Sequence, residues 1–156
     1  MLEIKIPGFG EVRLEHLVAD FTGTLSLDGT LLIGVREKLQ AASRLLAVHV
    51  VTSDTFGSAR KELEGLECTV VVIAGADADI QKESYVQKLG ADQVLAIGNG
   101  NNDRRMFKVA RIGIAVIGGE GCAGDAVMSA DIIVTNIFDA FNLLLYPKRC
   151  IATLRF

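Results

Sequence analysis

Short apolar runs that halt abruptly at small or polar residues recur along this chain, separated by segments of helical spacing. Leu17-Val18-Ala19 stops at Asp20, Val48 to Val51 stops at Thr52, and Val94 to Ile97 stops at Gly98-Asn99. Thr69 to Ile73, Ile112 to Val116 and Ile132 to Val134 read as three further strands. Between them, Val35 to Leu46 carries apolar residues at a helical period, and helices are also expected over 58–66, 80–89, 104–110 and 137–145. Gly90 suits the left-handed residue that closes a helix. Strands that are apolar throughout are buried on both faces, and their alternation with helices is the pattern of a parallel sheet with crossover helices. The expected fold class is therefore α/β and Rossmann-like, a mostly parallel sheet with helices on both faces. Composition agrees, with half the residues apolar, 16 Gly and only 2 Pro.

Two smaller features decorate this frame. Ile4 to Ile6 and Glu11 to Leu14, joined through Pro7-Gly8-Phe9-Gly10, read as a leading hairpin. Leu25 to Ile33 holds Asp28-Gly29, a hairpin-turn dipeptide, and predicts a small flap. No linker, repeat or low-complexity stretch interrupts residues 1–156, so a single domain is expected. The formal charge of −3 is spread along the chain without a basic cluster, which argues against nucleic acid as a partner. Cys68, Cys122 and Cys150 form no paired motif and read as reduced thiols. The longest apolar runs are too short to span a membrane, and the start lacks a signal pattern. A cytoplasmic protein with no membrane partner is the expectation.

In open parallel sheets, ligands bind beyond the carboxyl ends of the strands. The loops after Ala19, Val51 and Ile97 can therefore meet at one site, although each polar residue alone also suits a helix cap. Asp20 sits at the tip of a buried strand, where its carboxylate has few degrees of freedom. Carboxylates form covalent phosphoryl intermediates, and phosphoryl transfer asks mainly for positioning and charge neutralisation. Gly23 permits a sharp turn beside it, flanked by the hydroxyls of Thr22 and Thr24. Thr52, with Ser53 and the backbone N–H groups that follow, can hold a phosphate oxygen. A carboxylate facing a phosphate needs a cation between them, and Mg²⁺ suits hard oxygen ligands. Asp103 and the amide oxygen of Asn99 are the further candidate metal ligands. Lys82, which alone reads as a solvated helix lysine, can neutralise both phosphate and Asp20. Asp54 reads as a cap for the helix that follows it. A dinucleotide site at Gly98-x-Gly100 is disfavoured, because Asp103 stands where a third glycine is needed.

Taken in order, Asp20-Phe21-Thr22-Gly23-Thr24-Leu25, Val50-Val51-Thr52, Lys82 and Gly98-Asn99-Gly100-Asn101-Asn102-Asp103 resemble the four motifs of the haloacid dehalogenase (HAD) superfamily. Within it they look most like the phosphorylation domain of P-type ATPases, with its Asp-Lys-Thr-Gly-Thr-Leu, Thr-Gly-Asp and Gly-Asp-Gly-x-Asn-Asp motifs. The likeness runs from about Leu17 to Asn136 and extends to a soluble, stand-alone P-type-ATPase-like group. It implies an Mg²⁺-dependent phosphatase in which Asp20 is the nucleophile and a metal ligand. The Thr22 carbonyl and Asp103 would then complete the metal site, while Thr52 and Lys82 hold the phosphate of a small phosphorylated substrate.

Two departures bear on rate and affinity. Most HAD phosphatases have an acid–base Asp where this chain has Thr22, and such assistance typically contributes on the order of 10²–10⁴-fold. Slow turnover or a persistent phosphoenzyme is expected. Asn99 replaces a carboxylate beside the metal, so Mg²⁺ should bind less tightly. The gaps between motifs leave no room for a cap domain, so the pocket should be open. A second copy of the chain is the expected cover.

Overall fold

Every apolar run named above becomes a strand, and six of them join in one parallel sheet. The computed structural model describes residues 1–156. In chain order the elements are the hairpin β1 (Leu2–Ile6) and β2 (Gly10–Leu14), then β3 (His16–Ala19) and the flap strands β4 (Ser26–Leu27) and β5 (Thr30–Leu31). Next come α1 (Val35–Ser43), β6 (Ala47–Thr52), α2 (Ala59–Glu62), β7 (Thr69–Val72), α3 (Ala78–Leu89) and β8 (Val94–Gly98). The chain closes with α4 (Arg104–Val109), β9 (Ile112–Val116), α5 (Gly124–Ser129), β10 (Ile132–Val134), α6 (Ile137–Leu145) and α7 (Pro147–Leu154).

The main sheet has the order β10-β9-β8-β3-β6-β7, with every neighbouring pair parallel. Strand order reverses beside β3: the chain proceeds outward through β6 and β7, then returns to β8 on the other flank. Side-chain alternation along the strands divides the core in two. Leu17, Ala19, Val50, Leu95 and Ile97 face the cluster shared with Leu39 of α1 and Phe141 of α6. Val18, Val51 and Ala96 face the opposite cluster, with Val86 of α3 and Phe107 of α4. Both faces are covered, as a parallel sheet requires.

The hairpin β1–β2 forms its own antiparallel sheet, and its Ile4, Ile6, Val12 and Leu14 join the first cluster. The flap turns at Asp28 and Gly29, both at positive φ (51° and 79°), as the Asp-Gly dipeptide predicts. Only this flap and α1 lie between β3 and β6, and only α2 and β7 between β6 and α3, so neither gap holds a cap domain. Helix α2 is shorter than the expected 58–66 span: Leu63 already leaves helical geometry, and Gly65 at φ 77° turns the chain. Two helices were not anticipated. One is α5, whose six residues are too short for a clear period; the other is α7, which begins with Pro147 at its first turn and buries Cys150. No helix is long and apolar enough to cross a membrane.

Candidate active site

Because β3 and β8 are neighbours at the point where strand order reverses, their carboxyl ends open a crevice between them. Asp20 follows β3 directly, and its backbone N–H donates to the Ile97 carbonyl at 2.9 Å, so the two strand ends are locked in register. Thr52 ends β6 on the other side of β3, and Asn99 follows β8. The three loops read from the sequence therefore converge, around an open pocket of about 560 Å³.

At the pocket floor lies a buried ionic trio. The Lys82 ammonium donates to Asp20 Oδ1 at 2.7 Å and to Asp103 Oδ1 at 2.6 Å, and Lys82 and Asp103 are fully buried. Two carboxylates thus share one ammonium. Burial pushes the Asp20 carboxyl up to about 7; Lys82 pulls it down, and the Asp103 charge adds to the rise. Burial alone would lower the Lys82 ammonium, but Asp103 and Asp20 outweigh it and hold the group above its ordinary range. The lysine that reads as solvated from its helix is fully buried in the site.

Asp103 is oriented by its own loop. Its Oδ2 accepts from the backbone N–H groups of Asn99 at 2.9 Å and Gly100 at 2.8 Å. A side chain on Gly98 would collide with this carboxylate, which explains the glycine there. Both oxygens of Asp103 are thus engaged, and the group does not line the pocket. Asn99 does line it, but its amide is tied down: its oxygen accepts from Thr24 Oγ1 at 2.9 Å and its nitrogen donates to the Gly121 carbonyl at 3.1 Å.

Gly23 stands at φ 76°, and a Cβ there would lie 2.5 Å from Asn99 Nδ2 and 2.6 Å from Glu120 Oε2. Glycine is needed for both reasons. The same geometry gives a place to a stretch, Gly118-Gly119-Glu120-Gly121, that reads from the sequence as a flexible loop near the site rim. Within it, Glu120 brings a second carboxylate into the pocket lining. Its Oε1 accepts from the Asp28 N–H of the flap at 3.3 Å. No sequence signal links residues 28 and 120; only the fold does.

On the β6 side, Thr52 Oγ1 accepts from the Asp54 N–H at 2.9 Å, which leaves its own proton free to donate into the pocket. Ser53 is exposed on the rim, 3.5 Å from Asn102 Nδ2. Asp54 caps α2 as expected, its Oδ1 accepting from the N–H groups of Ser58 and Ala59 at 3.0 and 3.1 Å.

The donor set suits a hard divalent cation. Asp20, Thr22 and Asn99 present oxygens to one pocket, and Thr22 Oγ1 is buried without a hydrogen-bond partner, an orphan that a bound group or its water would satisfy. No three His, Cys, Asp or Glu side chains form a ready cage. Mg²⁺ does not need one, since it keeps several waters and takes one or two carboxylates.

A doubly wound α/β protein with a carboxylate-centred pocket at its switch point is the class that fold and site define together. Residues 76–121, which carry Lys82, Asn99, Asp103 and Glu120, match the family model for haloacid dehalogenase-like hydrolases. An uncharacterised protein of Methanocaldococcus jannaschii is 49% identical over 77 residues, covering 49% of this chain and 77% of that protein. Among solved structures, 3-deoxy-D-manno-octulosonate 8-phosphate phosphatase from Moraxella catarrhalis, in complex with magnesium, phosphate and KDO, shares the fold. Its TM-score is 0.70 at 19% identity, over 91% of this chain and 94% of that one. A phosphoserine phosphatase in apo form does so with a TM-score of 0.65 at 17% identity, over 86% and 99%. Residues 76–121 are thus similar to haloacid dehalogenase-like hydrolases, and the fold of the whole chain is shared with phosphatases of known structure.

Proposed function

We propose that this protein is an Mg²⁺-dependent phosphohydrolase that cleaves a small phosphate monoester through an aspartyl-phosphate at Asp20. The observation that carries the proposal is the Asp20 carboxylate itself. One oxygen is held by Lys82 while the residue lines a pocket at the switch point, with the Thr52 hydroxyl free to donate there. An Asp20 oxygen would attack phosphorus as the ester P–O bond breaks, and the leaving oxygen, taking a proton from solvent at the open mouth, departs in line as the alcohol. Water would then attack the phosphoryl group and give up a proton to solvent, releasing phosphate and restoring the carboxylate. Lys82 offsets charge on Asp20 and on the phosphate, and Thr52 and Ser53, with the backbone at Gly23, would position the phosphate oxygens.

Asp20, the Thr22 backbone carbonyl and the Asn99 side-chain oxygen would hold Mg²⁺, which supplies further neutralisation of the phosphoryl oxygens. Asp103 would act on the ion through water, since its own oxygens secure Lys82 and the loop backbone. Thr22 offers a hydroxyl where an acid–base carboxylate would speed both steps, so turnover should be slow. In this respect the site resembles the P-type ATPase phosphorylation domain, where an aspartyl-phosphate persists.

The magnesium ion and the phosphate ion in the octulosonate phosphatase belong to that protein; their transfer to this chain is part of the proposal. The test is hydrolysis of a panel of phosphomonoesters by the purified protein with Mg²⁺, beside an Asp20→Asn variant. Release of phosphate that needs Mg²⁺ and vanishes in the variant is expected. No turnover above the variant for any ester would remove the proposal. A second reading, a phosphate-binding module with little catalysis, is favoured by the Asn99 amide being tied to Thr24 and Gly121. It predicts stabilisation by Mg²⁺ with beryllium fluoride while hydrolysis stays at background.

A further inference from the structure

We infer that the pocket selects phosphate esters whose alcohol is neutral and hydroxylated, rejects those carrying a second anion, and owes this preference to Glu120. The inference rests on the proposed phosphate site at Asp20 and concerns the part of the pocket beyond it.

Chemically, the pocket wall is uniform. Phe56 is its single apolar side chain, and around it stand Ser53, Thr55, Asn101 and Asn102. Hydroxyls and amides both donate and accept hydrogen bonds, which matches an alcohol bearing further hydroxyls. A site built to hydrogen-bond such groups discriminates strongly against partners that leave it unpaired. Phe56 is half exposed and offers a flat surface for the carbon skeleton.

The charges are one-sided. No Lys or Arg lines the pocket. Lys82 lies behind Asp20, fully buried and held by two carboxylates. Arg104 reaches the rim loop, but it donates to the Asn101 carbonyl at 2.8 Å and pairs with Asp79 at 2.8 Å. Glu120, by contrast, has no cationic partner among the ion pairs of the structure. The loop that carries it is closed by a bridge between Gly118 and Gly121. From there the carboxylate is set over Gly23, held by the flap N–H of Asp28 and level with the Asn99 amide.

In-line displacement sends the alcohol away from Asp20, toward this mouth. A bound Mg²⁺ would offset most of the charge of Asp20 and the phosphate, which leaves Glu120 as the acid at the mouth that no cation faces and that the alcohol meets. Like charges several ångströms apart at a partly exposed site should disfavour an acidic ester about tenfold, less at high salt.

The test compares terminal glycerol phosphate with the matching phosphoglycerate, which differ only in a CH₂OH group against a carboxylate. Affinities are measured by calorimetry with Mg²⁺ on Asp20→Asn, which holds esters uncleaved, with and without a second change, Glu120→Gln. Glutamine keeps the acceptor for the Asp28 N–H, so the flap contact survives. Glycerol phosphate should bind about tenfold more tightly, and Glu120→Gln should close most of that gap by tightening phosphoglycerate. Equal or tighter binding of phosphoglycerate, a gap indifferent to Glu120→Gln, or no binding of either ester would overturn the inference. Hydrolysis by the unaltered protein reads the phosphohydrolase proposal separately, so selective binding without turnover would uphold this inference and sink that one.

Discussion

Helix α3 places two polar groups against the sheet within one turn of each other, Lys82 buried and Tyr85 half-buried, and they behave oppositely. Lys82 reaches the carboxyl end of β3 and joins Asp20 and Asp103 in a charged trio. Tyr85 reaches the middle of β6, where its hydroxyl lies 2.9 Å from His49 Nδ1, and His49 Nε2 lies 3.1 Å from His16 Nδ1 at the start of β3. The histidine chain can be neutral, and each ring has its partner within the protein. The trio is charged, its two acids share one base, and one of them borders an open pocket. Buried charge costs more than a buried neutral network. That the costlier arrangement lies at the switch point, and the satisfied one away from it, separates a site built for a ligand from one built for packing.

Removing Lys82 should break this contrast most severely. Lys82→Met would leave two neighbouring carboxylates in the interior without their cation, and loss of one partner from a buried pair typically costs roughly 3–5 kcal/mol. Urea unfolding at neutral pH would show a loss of that order. A change within experimental error would mean the trio contributes nothing to the fold.

A smaller effect should come from the histidine chain, and it should depend on pH. Burial, and to a lesser degree His16, hold His49 below the ordinary value of 6.5. Its neutral form is favoured when folded, whereas the unfolded chain takes up a proton near 6.5. Stability contributed by His49 is therefore complete above that value and declines as pH falls below it. Melting temperatures should drop between pH 7.5 and pH 5.5, and His49→Gln should flatten that part of the profile. An unchanged slope in the variant would assign the acid sensitivity elsewhere.

How much of this could be read from the sequence differs between the two regions in an instructive way. The strand ends were legible because apolar runs stop abruptly at Asp20, Thr52 and Gly98, and strand ends in a parallel sheet share one edge. The flap was legible because Asp28-Gly29 encodes its own turn. Lys82 was legible only through its place in a motif series, since its helix gives no hint that it is buried. Glu120 was legible only as part of a glycine-rich loop near the rim: its carboxylate's place in the pocket depends on a flap contact that joins residues far apart in the chain. The engagement of the Asn99 amide by Thr24 and Gly121 was hidden for the same reason. His16 and His49, which lie beside or in strands, read from the sequence as structural; their link through to Tyr85 was hidden, because it is assembled by strand register and by α3.

The most direct test of the central claim is to trap the phosphoryl group. The protein would be incubated with Mg²⁺ and a reactive phosphoryl donor such as acetyl phosphate, quenched in acid, digested, and examined by mass spectrometry. Phosphorylation of the peptide containing Asp20, absent without Mg²⁺ and in Asp20→Asn, is the predicted result. Phosphate release that continues in Asp20→Asn, or a phosphoryl group carried on a different residue, would contradict it.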